Sequence, residues 1–452
     1  MLYRILDILK DIIYWLFDIF RDIGACFTRN IGITELLNIY WFMFLIEMPR
    51  YYLFDGIIIL YHKLTFKKRD RIKNVAKRML HIENPLVTIL VPGKNEGKHI
   101  YKLCMSLAEQ TYRNYEIIVV DDGSDDDTYL ICSDLEKNGL IDKFLSSRER
   151  GGKASAANFG LYYAKGKYII HLDADSSLDR DAIENILIPF YLDEEVKGVG
   201  GCVKVRNYND NICTSLQAIE YLKTIMVGRT VTSTLGIYHI ISGAFGAFDT
   251  AALRSVGAWD IGPGLDGDVT QKLRKAGYKV EFATDAICLT NVPTKWRALF
   301  KQRLRWSRSL IRFRVRKHRD ILLITGKNGN FLNFVSNAEN ILYDCVFNYM
   351  WLFYILGLLF QYTDRLLEIL TVGWLIRLAL ANIGFLILIA LTERPREEWK
   401  LIRFLPLTIF YTGYFMRIIR LIGHTSELFF FKSYEDTWNP QKTSVYARVE
   451  GQ

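Results

Sequence analysis

None of the seven cysteines, at 26, 104, 132, 202, 213, 288 and 345, forms a Cys-x-x-Cys pair, and no histidine stands at metal-ligand spacing from any of them. That spacing excludes a zinc site. Most of these cysteines lie inside apolar sequence and read as small buried hydrophobes of a reducing compartment, which suits a cytoplasmic catalytic domain. No secretory signal is expected either. The first 22 residues are apolar almost throughout, yet Arg4, Asp7, Asp11, Asp18 and Asp22 recur at helical spacing. Residues 1–34 are therefore expected to lie in a membrane interface rather than to span it. Basic residues outnumber acidic ones, 58 to 49. The excess gathers at 63–78 and 297–319, both beside apolar segments, so the expected partner is an anionic lipid surface and not nucleic acid.

What is present divides the chain in two. A length of 452 residues, half of them apolar, exceeds one ordinary domain. Residues 86–320 hold charge, glycine and apolar runs in the manner of a soluble α/β domain, whereas 341–423 hold three long apolar blocks. Each block, 341–360, 366–391 and 401–423, is about 20 residues or longer and can cross a bilayer. An earlier span is expected at 35–64, interrupted by Glu47 and Arg50, which stand three apart and either neutralise one another or meet later helices. Asp344 and Arg377 inside the later blocks suggest a polar path through them, and Arg417 and Arg420 read as snorkelling ends. The organisation expected is an interfacial segment at 1–34, a span at 35–64, a catalytic domain at 80–290, interfacial helices at 291–340, spans at 341–423 and a tail at 424–452.

Within the catalytic part the rhythm is strand and helix. The runs Leu86-Val-Thr-Ile-Leu-Val91, Glu116-Ile-Ile-Val-Val120 and Tyr168-Ile-Ile170 are continuously apolar and separated by helix-length segments, the pattern of a parallel sheet covered on both faces. Ligands bind at the carboxyl ends of such strands. There the sequence places Pro92, then Asp121-Asp122-Gly123-Ser124, then His171-Leu-Asp173-Ala-Asp175. Two carboxylates one residue apart clamp a hard cation that keeps phosphate among its ligands, so a nucleoside diphosphate is the expected guest. Gly151-Gly152 allow close backbone approach before Lys153, a point charge suited to phosphate. Gln302, Arg305 and Trp306 share one side of a basic, aromatic helix.

Taken in order, Pro92-x-x-Asn95-Glu96, Asp121-Asp122-Gly123-Ser124, Gly151-Gly152-Lys153, Asp173-Ala-Asp175, Ile241-Ser242-Gly243-Ala244-Phe245, Asp266 and Gln302-x-x-Arg305-Trp306 resemble the processive family 2 glycosyltransferases. This is the membrane polysaccharide synthase group that includes cellulose, hyaluronan, chitin and poly-N-acetylglucosamine synthases. The resemblance covers about 85–320 and is specific as a constellation. Trp438-Asn439-Pro440 is loosely similar to a tail segment of the hyaluronan branch. The pattern departs from the family at Gly264-Leu265-Asp266-Gly267-Asp268, where Leu265 replaces an acidic or polar neighbour and a second acid follows, and at Gly93-Lys94 after Pro92.

The resemblance implies a GT-A type nucleotide-sugar domain with a mostly parallel sheet, joined to a transmembrane helical bundle and interfacial helices. It implies that Pro92, Asn95, Glu96, Asp122, Lys153, Asp173, Ser242, Gly243, Gln302, Arg305, Trp306 and Trp438 bind substrate, that Asp173 and Asp175 hold Mg²⁺ or Mn²⁺, and that Asp266 is the catalytic base. The expected reaction polymerises a β-linked polysaccharide from a UDP-sugar, UDP-N-acetylglucosamine ahead of UDP-glucose, and passes it through a multi-pass cell-membrane protein whose catalytic domain is cytoplasmic. Membrane lipids, the growing chain and accessory subunits are the expected partners. Two other readings remain: a non-processive transferase acting on a lipid acceptor, and an inactive assembly subunit.

Overall fold

A computed structural model describes residues 33–262, 264–322, 330–436 and 439–449. The interfacial segment expected at 1–34 lies almost wholly outside the described residues, and so does Trp438. The described chain forms two compact units, one made of residues up to Leu60 with Asn348–Tyr414, the other of Tyr61–Phe347 with residues from Phe415 onward. Residues 415–423, which hydropathy groups with the apolar blocks, thus belong to the unit that carries the catalytic motifs.

That unit is built on one eight-stranded sheet. Its strands are β1 (Val87–Gly93), β2 (Tyr115–Asp122), β3 (Lys143–Ser147), β4 (Tyr168–Leu172), β5 (Ser177–Leu178), β6 (Val196–Val205), β7 (Phe245–Asp249) and β8 (Lys279–Thr290). They lie in the order β3-β2-β1-β4-β7-β6-β8-β5. The half built from the three apolar runs is parallel throughout, with β1 pairing β2 and β4, and β2 pairing β3. Antiparallel pairing enters at β7, which joins β4 to β6, and at the short edge strand β5. Continuous runs such as Val87-Thr-Ile-Leu-Val91 are buried on both faces, as a sheet covered by helices on each side requires. The Lys153–Tyr163 helix comes so close that a Cβ on Gly160 would lie 2.2 Å from Leu90 Cδ1, so glycine permits the contact. The motif-bearing strands β1, β2 and β4 end at the same rim, because parallel strands deliver their C-terminal loops to one edge, and antiparallel β7 begins there.

The other unit packs the helical segments around Tyr40 and Met43 against Ile369, Val372, Ile376 and Leu380. Tyr40 and Tyr354 each reach across to a backbone carbonyl, of Ile369 at 2.8 Å and Ile39 at 2.7 Å. Among the described residues, three helices are long and apolar enough to cross a membrane: Phe331–Gln361, Thr363–Leu391 and Pro395–Phe430. The earlier candidate at 35–64 is not one of them. Glu47 and Arg50 do not neutralise one another as their spacing allowed. Glu47 pairs with Arg377 at 3.3 Å and Arg50 with Asp55 at 2.9 Å. Arg377, expected to mark a polar path, therefore has a carboxylate partner inside the helical unit, the usual arrangement for a charge among apolar helices. In the larger unit Arg420 meets Asp344 at 3.4 Å, so it is paired rather than simply snorkelling.

Candidate active site

The rim of the sheet gathers the acids in a definite electrostatic order. Asp121 and Asp122 end β2 and do different work. Asp121 closes the turn, accepting from Ser124 N at 2.9 Å and from Ser146 Oγ at 3.0 Å. Asp122 Oδ1 accepts from Gly151 N at 2.7 Å and Gly152 N at 3.0 Å, and its Oδ2 from Gly152 N at 2.9 Å. Burial raises the Asp122 pKa and those backbone donors oppose the rise. Asp122 thus orders the Gly151-Gly152 loop, leaving part of its accepting capacity for a ligand. Gly152, at φ +90°, takes a left-handed conformation that favours glycine.

Asn95, at φ +60°, ties the loop after β1 to the loop after β2. Its N–H donates to Ser124 Oγ at 2.8 Å, and its side-chain amide exchanges hydrogen bonds with Asp125 at 2.6 and 3.1 Å. Pro92 sits in β1 opposite Val120. Both residues thus stand at the rim where β1 and β2 end, and Glu96 lies within electrostatic reach of the acids that follow β4.

Asp173 accepts a hydrogen bond from Lys153 Nζ. Asp175 lies within 3.4 Å of Thr290 Oγ1 and its carbonyl accepts from Arg206 at 3.0 Å. Burial raises the Asp175 pKa, and Asp173 adds to the rise. Burial, then Asp175 and Asp173, push the Glu96 carboxyl up to about 7. Asp173 thus acts on Asp175, and both act on Glu96, although no three His, Cys, Asp or Glu side chains among the described residues converge as a ready-made metal cluster. The donor set, hard oxygens alone, suits Mg²⁺ or Mn²⁺.

Asp266 stands in the first turn of the Leu265–Lys275 helix. Burial raises its pKa, while Lys153 and a hydrogen bond from the Gly243 backbone work against the rise. A Cβ on Gly243 would lie 2.3 Å from Asp266 Oδ1, so the close approach of loop and carboxylate needs glycine. Ser242 precedes it in the same loop. Thr270 locks the arrangement, donating to Asp266 O at 2.7 Å and accepting from Ile241 N at 3.0 Å. Lys153 is half-buried, which works against its charge, but Asp173 and Asp266 outweigh that and raise its pKa. One lysine therefore couples the Asp173-x-Asp175 pair to Asp266.

The second acid of the helix is engaged by partners of its own. Asp268 is 5 % exposed and receives Lys317 at 2.8 Å and His318 at 2.7 Å. Burial alone would raise its pKa, but His318 and Lys317 hold it well below the carboxylate range. A carboxylate that is fully paired in the interior makes a poor base. Asp268→Ala leaves His318 without this hydrogen-bond partner and Lys317 with Asp260 alone, so we expect a loss of about 2 kcal/mol of stability, read as a lower denaturant midpoint of the purified protein. Normal stability with abolished transfer would instead give Asp268 the catalytic role.

Sequence reasoning missed His171. Its Nδ1 meets Gly243 O at 2.7 Å, and burial, helped by Lys153, brings its pKa down to about 4. The neutral ring therefore donates to Gly243 and steadies the loop that holds Asp266. The signal was its place in His171-Leu-Asp173, two residues ahead of the clamp, but a buried histidine in a strand has no spacing signature.

On the Trp296–Leu310 helix, Gln302 buries an Oε1 that takes no hydrogen bond from any described residue. Burial lowers the Arg305 pKa, opposed by Asp436, Asp266 and Asp173. Trp306 remains 41 % exposed. The C-terminal segment returns to this site. Glu427 is buried, paired with Arg316 and with Ser433 N at 2.6 Å, Arg316 stacks on Phe431 at 4.3 Å, and Pro440 Cδ would lie 3.3 Å from a Cβ on Gly152. Asn439 and Pro440 thus lie against the Gly151-Gly152 loop, and Trp438 is outside the described residues.

Comparison with known proteins bears on the family and the fold. Residues 88–257 match the family model "Glycosyl transferase family 2". A poly-beta-1,6-N-acetyl-D-glucosamine synthase of Staphylococcus epidermidis is 31 % identical over 273 residues, 59 % of this chain and 64 % of that protein. Its Staphylococcus aureus counterpart is 34 % identical over 223 residues, 49 % of this chain and 53 % of that one. The chain thus spans a little under two thirds of the length of the first of these relatives, and about half of the second. Among solved structures, a mannosyltransferase from Pyrobaculum calidifontis in complex with GDP-Man and Mn²⁺ covers 83 % of this chain and 99 % of its own, with a TM-score of 0.53 and 20 % identity. That likeness is one of fold, the GT-A type. The chain carries a family 2 glycosyltransferase domain and is homologous to poly-β-1,6-N-acetyl-D-glucosamine synthases.

Proposed function

We propose that this protein is a processive, inverting polysaccharide synthase that uses UDP-N-acetylglucosamine and delivers its polymer across the membrane. The observation that carries this reading is the coupling of Asp266, Lys153 and Asp173 at the sheet rim beside the helix bearing Gln302, Arg305 and Trp306. The relatives named as poly-β-1,6-N-acetyl-D-glucosamine synthases support the choice of donor sugar and polymer. In the reaction an acceptor hydroxyl attacks the anomeric carbon, its proton passes to Asp266, and the bond from that carbon to the diphosphate breaks. Attack opposite the leaving group inverts the centre, so an α-linked donor yields a β-linked product. Asp122, Pro92 and Asn95 shape the uridine pocket, Lys153 and Arg305 place positive charge at the diphosphate, and Trp306 offers an aromatic face to the acceptor. Asp173 and Asp175, with Glu96 nearby, would hold Mg²⁺ or Mn²⁺, which neutralises the departing diphosphate; the fold relative solved with Mn²⁺ is consistent with that choice. Incubation of the purified protein with a panel of UDP-sugars, with UDP release and product mass both followed, tests the assignment. Long N-acetylglucosamine polymer is expected; a single sugar on lipid, or no more release than from UDP-galactose, overturns it.

The catalytic unit is assigned to the cytoplasm, where nucleotide sugars are made and the described cysteines, all buried thiols, stay reduced. Because residues 439–440 lie against Gly152, the tail is assigned to the same side, and the apolar helices after the catalytic domain must then cross an even number of times. The Pro395–Phe430 stretch is the segment that turns back in this scheme. It begins with the charged run Pro395-Arg-Glu-Glu398, and only its last part, from Phe415, groups with the catalytic unit. A cysteine at the exposed Val449 position, in a background without other reactive thiols, should resist an impermeant maleimide in intact cells and react once they are opened. Labelling of intact cells refutes the placement. Truncation after Phe431 is expected to lower polymer synthesis several-fold while leaving membrane insertion unchanged.

A further inference from the structure

Arg303 lies one helical turn before Trp306, yet it points into the protein and is 4 % exposed. Its Nη2 donates to Glu220 Oε2 at 2.9 Å, and Glu220 is itself buried on the Ile212–Tyr221 helix. The guanidinium carbon sits 4.3 Å from the centre of the Trp306 ring and 5.5 Å from that of Tyr221. The cation therefore fills the space between two aromatic rings and presses on one face of an indole that otherwise remains open. A buried guanidinium keeps such a position only with an anion beside it, because its desolvation is otherwise too costly. Glu220 supplies that anion from a different helix. The contact is attractive in its own right, since a cation over an indole face is the best-favoured cation–π pairing.

We propose that Glu220 and Arg303 are positioning residues for the acceptor: together they hold the Trp306 indole as the platform on which the acceptor saccharide stacks. This rests on the reading of Trp306 as the acceptor platform. The pair does not touch the donor or the reacting atoms. Losing it frees the indole to rotate about its side-chain torsions, and acceptor binding weakens while the nucleotide site is untouched.

The test uses the full-length protein in detergent with UDP-N-acetylglucosamine as donor and a short β-linked N-acetylglucosamine oligosaccharide as acceptor. Glu220→Gln is expected to raise the acceptor KM about three- to tenfold and to leave the donor KM unchanged. The double variant Glu220→Gln with Arg303→Met leaves no unpaired buried charge, so it restores stability but keeps the raised acceptor KM. Arg303→Lys, which retains a cation without the planar group, recovers part of the affinity. Acrylamide quenching of Trp306, read as the difference from Trp306→Phe in each background, should increase in Glu220→Gln. A parental acceptor KM in the double variant, or unchanged quenching, overturns the role of the pair. A parental acceptor KM in Trp306→Phe alone overturns the platform itself, and the two failures are thereby told apart.

Discussion

Asp266→Asn is expected to lower turnover about 10³-fold, the usual contribution of a positioned general base, while UDP-sugar binding stays near its parental strength. Asparagine keeps the shape of the side chain and can still accept from the Gly243 backbone, so the loop that fits around Asp266 has no reason to move. What disappears is the ability to take a proton from the acceptor hydroxyl. UDP release measures the first quantity and calorimetric titration with UDP the second. Turnover close to parental would remove Asp266 from the mechanism. The same carboxyl sets a pH dependence. Its pKa is raised by burial, and a base acts only when deprotonated, so the rate should fall on the acid side at a pH above the ordinary aspartate value of about 3.9. A rate that is flat down to that value contradicts the assignment.

Asp175→Ala is expected to abolish the metal dependence of UDP binding and to reduce synthesis by about two orders of magnitude or more, since removal of one ligand leaves a hard cation a single carboxylate of the pair. The neighbouring chemistry gives a second signature. Asp175 is the largest charge contribution raising the Glu96 pKa, ahead of Asp173, so its loss should bring the Glu96 titration down. Calorimetry of UDP with and without Mn²⁺ reads the first effect, and carboxyl titration by NMR of the labelled protein reads the second. UDP affinity that still rises on adding Mn²⁺ would show these acids to be turn residues of β4.

Much of the site could be read from spacing alone. The three apolar runs became β1, β2 and β4, because a strand buried on both faces must be apolar at consecutive positions. Their C-terminal motifs met at one rim, because parallel strands share a direction. Asp173-x-Asp175 and Gly151-Gly152-Lys153 were legible because each carries its chemistry within three residues. Other features left no local mark. The antiparallel entry of β7 between β4 and β6 depends on long-range pairing, and Phe245-Gly-Ala-Phe-Asp249 reads no differently from a parallel strand. Spacing leaves Glu47 between Arg50 and the later helices, and the structure takes the second alternative: its partner Arg377 stands on a later helix, 330 residues away, a pairing that no local spacing marks.

What the amino-acid order determined by itself was the chemistry available: acids at strand ends, a lysine after two glycines, an amphipathic helix with glutamine, arginine and tryptophan on one side, and apolar blocks long enough for a bilayer. These are properties of one or two turns of chain, where covalent geometry fixes which side chains share a face. Only the tertiary structure told the two acids of this helix apart, because Asp266 and Asp268 differ by two positions in sequence and by their entire surroundings in space. One lies against Gly243 and Lys153, the other between Lys317 and His318. Only the fold brought Asn439 and Pro440 to Gly152, nearly 290 residues distant in the chain. A pKa and a binding site are set by neighbours within a few ångströms, and in a folded chain most of those neighbours come from far along it.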